Sequence, residues 1–166
     1  MGDNFLNFWF RFIYPNRGYI ESGEREHVER CLSGFNSHVG RVFEEVAAEA
    51  LLELRSRKLV PDFQKIGKWW GTYRDERGDR KTAEIDIVAL NDQTGDVLFA
   101  ECKWEEAVDA LRVLQELKEK AKRVEWRVNA RTEHYAIFAK SFKERVRGEK
   151  FLFDLKDLER LWRAGP

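Results

Sequence analysis

The sequence predicts an α/β domain preceded by a helical arm, and two observations carry this prediction. The first is a change of hydrophobic period, because helical spacing dominates as far as Leu54 and strand-like alternation follows between residues 63 and 104. The second is composition, since 43% of the 166 residues are hydrophobic and 13% are aromatic, which is typical of a chain with a packed core. A chain of this length is expected to build one main domain.

Residues 1–36 are predicted to form the arm. Its first helix carries two neighbouring apolar stripes, and a helix that is apolar on two sides requires two neighbours. The stripes consist of Phe5, Phe8, Trp9 and Phe12 and of Leu6, Phe10 and Ile13. The segment from Pro15 to Gly18 is expected to end this helix, and residues 20–35 to form a polar helical connector. We expect one stripe to be buried on the following domain and the other to contact a partner.

Residues 37–166 are predicted to form the α/β domain. Its first helix begins at Ser37, has apolar residues at helical spacing and ends before Pro61. A hairpin is expected to follow from the turn sequence at residues 91–96. In chain order, the predicted elements after the first helix are strands at 63–72, 83–90 and 97–104, a helix at 106–127, strands at 134–140 and 151–153, and a helix at 154–163 capped by Asp154.

Composition and charge narrow the classes of function. The 30 basic and 30 acidic residues balance over the whole chain. Residues 112–150 are locally basic, with twelve Lys or Arg against six Asp or Glu. Such a stretch is equally typical of a solvated helix face and of a surface that contacts phosphates. Two distant cysteines favour neither a disulfide framework nor a thiolate metal site, and no apolar stretch could span a bilayer. We expect a cytoplasmic protein, whose charged fraction of 36% is typical of thermophiles.

The residues suited to catalysis lie in the predicted hairpin. Glu101 and Lys103 are two positions apart in one strand, so both side chains share a face while Cys102 points to the other. Asp86 lies in the preceding strand, with both neighbouring isoleucines on the opposite face, and folding about the turn can place it beside Glu101. Carboxylates in apolar strands are costly unless they are paired or bind a metal.

Two carboxylates and a lysine on one surface are the set that metal-assisted phosphodiester hydrolysis uses. Mg²⁺ or Mn²⁺ binds carboxylate oxygens and a phosphate oxygen, and it lowers the pKa of an attacking water. A lysine beside the metal stabilises the charge that develops on the phosphate or orients the water. The alternative is a structural ion pair between Glu101 and Lys103.

These residues also resemble a known signature. Asp86 within the segment Glu84-Ile85-Asp86-Ile87-Val88-Ala89, followed by Glu101-Cys102-Lys103, resembles the motif of the PD-(D/E)XK nuclease superfamily. The segment Gly40-Arg41-Val42-Phe43-Glu44 resembles the helix acid of the same superfamily. The similarity runs from about Ser37 to Lys140, and the residue at the proline position of the motif is Ile85.

The resemblance implies a restriction-endonuclease-like α/β/α sandwich with a mixed central sheet. It implies Glu44, Asp86 and Glu101 as metal ligands, and Lys103 as the catalytic base or the phosphate stabiliser beside Asp86 and Glu101. Glu45 and Glu49 lie on the same helix as Glu44, and a helical Glu is commonly only solvated.

A second resemblance covers nearly the whole chain. It is to the C-terminal domain of a family of archaeal P-loop ATPases, and it rests on residues 4–17 and on Gly67-Lys68-Trp69-Trp70-Gly71. The chain has no Gly-rich phosphate-binding loop, so the resemblance implies that the ATPase lies upstream or on another subunit. A start at Met1 and Gly2, immediately before the arm, would suit an excised domain.

Further residues are secondary candidates for the site or for nucleic-acid binding. The secondary site candidates are Glu84, Gln115 and Lys118. The candidates for nucleic-acid binding are Trp70, Lys118, Lys122 and Arg123. Trp70 could stack on a base, although in a strand one of two adjacent tryptophans is expected to face the core.

Two hypotheses of different classes remain from the sequence. One is a Mg²⁺- or Mn²⁺-dependent nuclease that acts on nucleic acid, with DNA favoured, together with an ATPase domain or subunit. The other is a non-catalytic interaction or nucleic-acid-binding module that keeps the nuclease fold. A homodimer is compatible with either hypothesis.

Overall fold

The computed structural model describes residues 3–23, 25–32, 34–144 and 151–164. The chain divides into two compact units, Met1–Phe43 and Glu44–Pro166. The described residues combine an N-terminal helical region with a mixed five-stranded sheet, so the α/β class and the helical start are confirmed. The boundary predicted at residue 36 stays a prediction. Residues 145–150 of the basic stretch, like Met1 and Gly2, lie outside the described residues.

The first unit is built from short helical segments. They are α1 (Asn4–Phe8), a π-helical turn (Trp9–Ile13), a 3₁₀ turn (Tyr14–Asn16), α2 (Arg17–Ser22), α3 (Arg25–Cys31) and the start of α4 (Phe35–Ser56). Asp3 caps α1, because its carboxylate accepts the backbone N–H groups of Phe5 and Leu6. The first helical run ends close to the predicted Pro15–Gly18 break, since the π-helical turn stops at Ile13 and Asn16 leaves the helical region with a φ of −113° and a ψ of 13°. Pro15 lies in the first turn of the 3₁₀ segment, where its missing N–H costs nothing, and α2 begins directly at Arg17.

Aromatic side chains of the first unit divide into a packed set and an exposed set. Phe12 is buried, and its ring centroid lies 5.7 Å from that of Phe8, 5.9 Å from that of Phe35 and 5.3 Å from that of His38. The exposed aromatic residues include Phe5, Trp9, Phe10 and Tyr14, and the apolar Leu6 is exposed with them. The division cuts across the predicted stripes, because the π-helical turn changes the angle at which successive side chains project.

The second unit contains the sheet, whose described strands follow the order β1-β2-β3-β4-β5. Strands β1 to β3 are antiparallel to one another, whereas β3, β4 and β5 run parallel. The elements are β1 (Lys65–Arg74), β2 (Arg80–Leu90), β3 (Asp96–Lys103), α5 (Ala110–Ala121), β4 (Thr132–Ala139), β5 (Leu152–Phe153) and α6 (Leu155–Arg163). The predicted order of helices and strands is therefore confirmed. Asp154 caps α6 as predicted, in a capping box with Asp157.

Helix α5 is shorter than the predicted helix at residues 106–127. It begins after Asp109, which caps it, while the preceding Val108 forms an isolated β-bridge with Phe142. At the other end, the Arg131 guanidinium donates to the carbonyl oxygens of Ala121 and Trp126, at 2.9 and 2.8 Å. These contacts come from distant residues, which a local helical pattern does not reveal.

One part of the core of the second unit lies between the sheet and α5, and α4 and α6 contribute further buried residues such as Leu51 and Leu158. One cluster joins strand residues to helix residues, and its fully buried members include Ile85 and Phe99. The members are Ile85, Val88, Val97, Phe99, Leu117, Ala121 and Val124. Replacing one large member such as Phe99 by Ala would cost about 3–5 kcal/mol of stability. This packing fixes β2 and β3, which carry the candidate site.

A β-bulge interrupts β2 near the candidate site. Gly67 of β1 pairs with Val88, but Trp69 pairs with Ile85, so two steps along β1 match three along β2. Ile85 and Val88 consequently share one core cluster although they are three residues apart. Simple alternation therefore breaks between Ile85 and Val88, although Ile85 and Ile87 are both buried and Asp86 between them is less so. The extra residue lies in the segment that contains Asp86.

The tight turn at Asn91–Gly95 sets the register between β2 and β3. Asn91 accepts the backbone N–H groups of Gln93 and Thr94 through its side-chain oxygen. Gly95 has a φ of 79°, and a Cβ at this position would lie 3.1 Å from the Ala130 carbonyl oxygen. The observed pairing of Ile87 with Ala100 follows from this turn. In the described part of the chain, no helix has both the length and the apolar character needed to cross a membrane.

Candidate active site

The hairpin brings Asp86 and Glu101 next to each other. Ile87 pairs with Ala100, and Asp86 and Glu101 are the residues one step beyond that pair. The Asp86 carboxylate accepts a hydrogen bond from the backbone N–H of Cys102 at 2.8 Å, so a side chain of β2 contacts the backbone of β3. The bulge thus directs a carboxylate toward β3 at the position where Glu101 lies.

Glu101 is a buried acid held by two lysines. Glu101 is 5% exposed. Its Oε1 accepts hydrogen bonds from Lys103 Nζ at 2.9 Å and from Lys120 Nζ at 2.8 Å. Lys120 Nζ also lies 3.0 Å from the second carboxylate oxygen. Lys103 comes from the same strand, as its two-residue spacing predicts, whereas Lys120 comes from the last turn of α5. A buried carboxylate requires such partners, because an uncompensated charge in the interior is costly.

Glu44 contributes a third carboxylate from α4. Its Oε2 accepts a short charged hydrogen bond from Lys68 Nζ of β1, the strand that faces the bulge. The Glu44 side chain is half-buried and that of Lys68 is largely exposed to solvent. This pair therefore lies at the solvent-facing side of the cluster.

The carboxylates influence one another electrostatically. Burial, and after it the negative charges of Glu101 and Glu44, raise the pKa of Asp86 to about 6 against the opposing effects of the Cys102 N–H and Lys103. Burial lowers the pKa of Lys103, but the hydrogen bond to Glu101 and the charges of Glu101 and Asp86 outweigh it and raise the pKa overall. The Asp86 carboxylate is thus the acid whose negative charge the fold compensates least.

The carboxylates of Asp86, Glu101 and Glu44 are the type of ligand that binds a hard divalent cation. Carboxylate oxygens are the ligands that Mg²⁺ prefers, and a cation beside Asp86 would relieve the repulsion that raises its pKa. The lysines, however, hold the oxygens of both glutamates. Within the described residues, no group of three or more His, Cys, Asp or Glu side chains is already gathered closely enough to hold a metal. A cation at Asp86 and Glu101 would therefore compete with lysine contacts for Glu101.

Within the residues that the structure describes, none of the remaining candidates is hydrogen-bonded to Asp86, Glu101 or Glu44, although the negative charge of Glu84 helps to raise the pKa of Lys68. Glu84 is exposed and pairs across the ladder with Trp70, which is itself 73% exposed. Gln115 is exposed on α5, and the exposed Lys118 places its Nζ 5.4 Å from the centroid of the Tyr135 ring. Of the candidates for nucleic-acid binding, Lys122 pairs with Glu119 at 2.5 Å, and the Arg123 guanidinium lies 4.1 Å from the centroid of the Tyr73 ring.

Sequence reasoning missed two lysines of this cluster, Lys68 and Lys120. A signal for Lys120 was present, because it follows the buried Val113 by two helical turns and the buried Leu117 by three residues. Lys120 therefore borders the buried face of α5 and is better placed than Lys118 to reach β3. No comparable signal exists for Lys68, whose contact depends on how α4 lies beside β1.

The fold and the site define an α/β protein with acids and lysines clustered around a hairpin of a mixed sheet. The chain belongs to the DUF234 family, described as "Archaea bacterial proteins of unknown function", which matches residues 9–124. It is 38% identical over 158 residues to the uncharacterized protein MJECL04 of Methanocaldococcus jannaschii. The alignment covers 93% of this chain but 33% of that relative, so the chain spans about a third of the relative's length. No solved structure matches the chain.

Proposed function

We propose that the chain is a metal-dependent nuclease domain with a restriction-endonuclease-like PD-(D/E)XK fold. The proposed reaction is hydrolysis of phosphodiester bonds in nucleic acid, with DNA as the favoured substrate. The observation that carries the proposal is the contact of Asp86 with β3 beside Glu101 at a β-bulge, with Lys103 bonded to Glu101. Sites that perform hydrolysis commonly hold buried acids with shifted pKa values beside a charged partner.

The proposed metal ligands are Asp86, Glu101 and Glu44. When bound there, Mg²⁺ or Mn²⁺ would polarise the phosphate and lower the pKa of an attacking water. Glu101 and Asp86 project from rigid strands, so their positions are fixed before substrate arrives. Glu44 projects from α4 and contacts Lys68 at the solvent-facing side, where a substrate phosphate would enter.

Lys103 is proposed to stabilise the phosphate. Its Nζ donates a hydrogen bond to Glu101, so its side chain is an ammonium group that can donate equally to a phosphate oxygen. Lys120 holds both oxygens of Glu101 from α5, so Glu101 keeps a countercharge when Lys103 turns toward substrate. In this assignment Lys103 is a catalytic residue and Lys120 is a positioning residue.

The charge of the cluster supports an anionic substrate. Among the described residues, the three carboxylates of Glu44, Asp86 and Glu101 face the three ammonium groups of Lys68, Lys103 and Lys120, so their formal charges cancel. A divalent cation would make the cluster positive. A positive, partly buried site attracts a phosphodiester.

The proposed partner of this domain is an ATPase module. The relative of which this chain covers 33% contains a further two-thirds of polypeptide, which provides room for such a module. We also place the protein in the cytoplasm as part of this proposal. A self-associating arm would be compatible with the exposed Phe5, Phe10 and Tyr14.

A second candidate is a non-catalytic module with the same fold. The observation that favours it is that lysines already satisfy Glu44 and Glu101 without a metal. In that case Lys103 and Lys120 would act only as structural countercharges. The two candidates predict different results in a cleavage assay.

The deciding experiment measures cleavage of labelled single-stranded, duplex and branched DNA and of RNA, with Mg²⁺, with Mn²⁺ or with EDTA. We expect cleavage that EDTA abolishes and that Lys103→Met reduces by roughly 10²-fold, the scale of one lost transition-state contact. Lys156→Met, which removes an exposed lysine of α6, is the matched control and should cleave normally. Absence of cleavage on every substrate with either metal would favour the non-catalytic module.

A further inference from the structure

The edge strand β1 presents an exposed aromatic side chain close to the candidate site. Trp70 is 73% exposed, more than any other large hydrophobic residue in the described part of the chain. It lies two residues after Lys68, which bonds to Glu44, so strand alternation puts both side chains on one face, about 7 Å apart. An isolated exposed hydrophobic residue needs no explanation, but this one lies beside a cluster of charged groups.

The neighbouring residues of β1 support Trp70. Trp69 is partly buried against the core cluster, and a Cβ at Gly71 would lie 2.7 Å from the Trp69 ring. Glycine at position 71 therefore allows the Trp69 indole to lie along the strand. Because Trp69 anchors this part of β1 on the core side, strand alternation directs Trp70 away from that core, where it is exposed to solvent.

A small cavity lies along the same strand edge. Its volume is about 280 Å³, and its lining includes Trp70 and Tyr73 together with one basic and one acidic side chain, those of Arg123 and Glu125. This is just below the roughly 300–1,000 Å³ of pockets for drug-sized ligands, so it suits a single planar group. The Arg123 guanidinium lies over the Tyr73 ring at 4.1 Å, which orients a cation at the rim of the cavity.

The β1–β2 hairpin brings basic residues to this edge, interspersed with Asp75, Glu76 and Asp79, and the Lys81 ammonium lies 3.8 Å from the Asp75 carboxylate. Arg74 and Arg80 are directly opposite each other in the ladder, and Lys81 is opposite Tyr73. Like charges in directly opposite positions destabilise a strand pair. A phosphate bound between the two arginines would offset that repulsion, which gives the hairpin an energetic reason to bind an anionic strand.

We propose that Trp70 stacks on an unpaired base of a nucleic-acid strand that crosses the edge strand β1, while the hairpin arginines and Arg123, which lies beside Tyr73 on the opposite face of β1, contact its phosphates. The substrate class is therefore a strand with unpaired bases and not a continuous duplex. Base-on-aromatic stacking contributes about 1–3 kcal/mol per base and tolerates any sequence. This inference rests on the proposed nuclease function for its position next to the site, but binding can be tested without cleavage.

The test is fluorescence anisotropy with the full chain in EDTA at fixed salt, so that no cleavage occurs. The probes are labelled oligothymidylate, oligouridylate and an abasic DNA strand of the same length, which has the phosphates but no bases. We expect Trp70→Ala to weaken binding of the strands that carry bases by about 5-fold or more. We expect the abasic strand to bind the variant and the parent within about 2-fold, and a blunt duplex to be equally unaffected.

Two variants control for indirect effects. Trp162→Ala removes an indole that is 46% exposed on α6, and its binding should match that of the parent. Trp70→Phe keeps an aromatic ring and should retain part of the affinity for bases. A melting curve checks that each variant is folded.

The outcomes separate this inference from the nuclease proposal. Equal losses with base-containing and abasic strands, no loss with Trp70→Ala, or no binding of unpaired strands by the parent would each overturn the stacking site. Base-dependent binding through Trp70 without cleavage under any metal would support the stacking site and reject the nuclease. Cleavage that is unchanged by Trp70→Ala on every single-stranded substrate would reject the stacking site and leave the nuclease in place.

Discussion

The β3 side and the β2 side of the candidate site differ in how far they compensate the negative charge of a buried carboxylate. On the β3 side, Glu101 is buried but receives hydrogen bonds from Lys103 and Lys120. On the β2 side, the bulge places Asp86 against a backbone N–H, and burial raises its pKa to about 6. One acid is compensated by the fold, whereas the other carries a charge that the fold opposes.

This difference indicates at which of the two acids a divalent cation would bind more favourably. At Glu101 a metal would compete with two ammonium groups that already satisfy the carboxylate. At Asp86 a metal would supply the missing countercharge and draw on Glu101 and Glu44, whose charges repel that of Asp86. If the comparison is correct, substitutions on the two sides change stability in opposite directions.

The largest expected effect is that of Glu101→Gln. This change leaves the ammonium groups of Lys103 and Lys120, both partly buried, without their shared countercharge. We expect the free energy of unfolding to fall by about 3 kcal/mol, the lower end for breaking a buried ion pair. Urea unfolding measures this, and Glu119→Gln, on the exposed face of α5, should change stability by less than about 0.5 kcal/mol. Equal effects of the two changes would contradict the role given to Glu101.

Asp86→Asn is expected to stabilise the metal-free protein. The folded-state pKa of Asp86 is raised from 3.8 to about 6, so the protonated carboxyl favours folding at low pH and that contribution is lost as pH rises from about 4 through 6. Asp86→Asn has no carboxyl to ionise, so its stability does not fall in this way as pH rises. Its amide oxygen can still accept the Cys102 N–H.

The gain of Asp86→Asn should be close to zero at pH 4 and reach the order of 2 kcal/mol at pH 7 to 8. Denaturant unfolding in EDTA at several pH values measures it. A variant that is less stable than the parent at pH 7.5, or a gain that does not depend on pH, would show that Asp86 is compensated in the fold after all.

The smallest expected effect is that of Glu44→Gln. Its ion pair with Lys68 is open to solvent on the Lys68 side, and such pairs contribute about 0–1 kcal/mol. We expect less than 1 kcal/mol of change in the free energy of unfolding and a moderate weakening of metal binding. If Glu44→Gln lowered the free energy of unfolding as much as Glu101→Gln, Glu44 would be a buried acid like Glu101, and this prediction would be contradicted.

The sequence predicts most of the architecture because its signals are local. The apolar spacing of α4, the turn chemistry at Asn91–Gly95 and the cap of α6 by Asp154 each depend on residues close together in the chain. The Glu101–Lys103 contact is likewise predictable, because it needs only the two-residue period of a strand.

The rest depends on contacts between distant residues. The bulge at Asp86 reflects the pairing of β1 with β2, and a pattern of alternating residues shows no sign of it. Helix α5 ends early at Ala121, whose carbonyl oxygen accepts a hydrogen bond from Arg131, ten residues further along the chain. Lys120 could have been found from its place beside the buried face of α5, but Lys68 required knowledge of its distant partner Glu44.

The central claim is that Asp86 is the acid at which a divalent cation binds. Calorimetric titration of Mn²⁺ into the parent and into Asp86→Asn at pH 7.5 tests it most directly, because the variant keeps the shape of the side chain and removes its charge. We expect saturable binding to the parent and a loss of at least about tenfold in affinity for Asp86→Asn, since a hard-cation site depends on ligand charge. Equal affinities, or no binding to the parent at millimolar Mn²⁺, would contradict the claim and leave these acids as structural partners of the lysines.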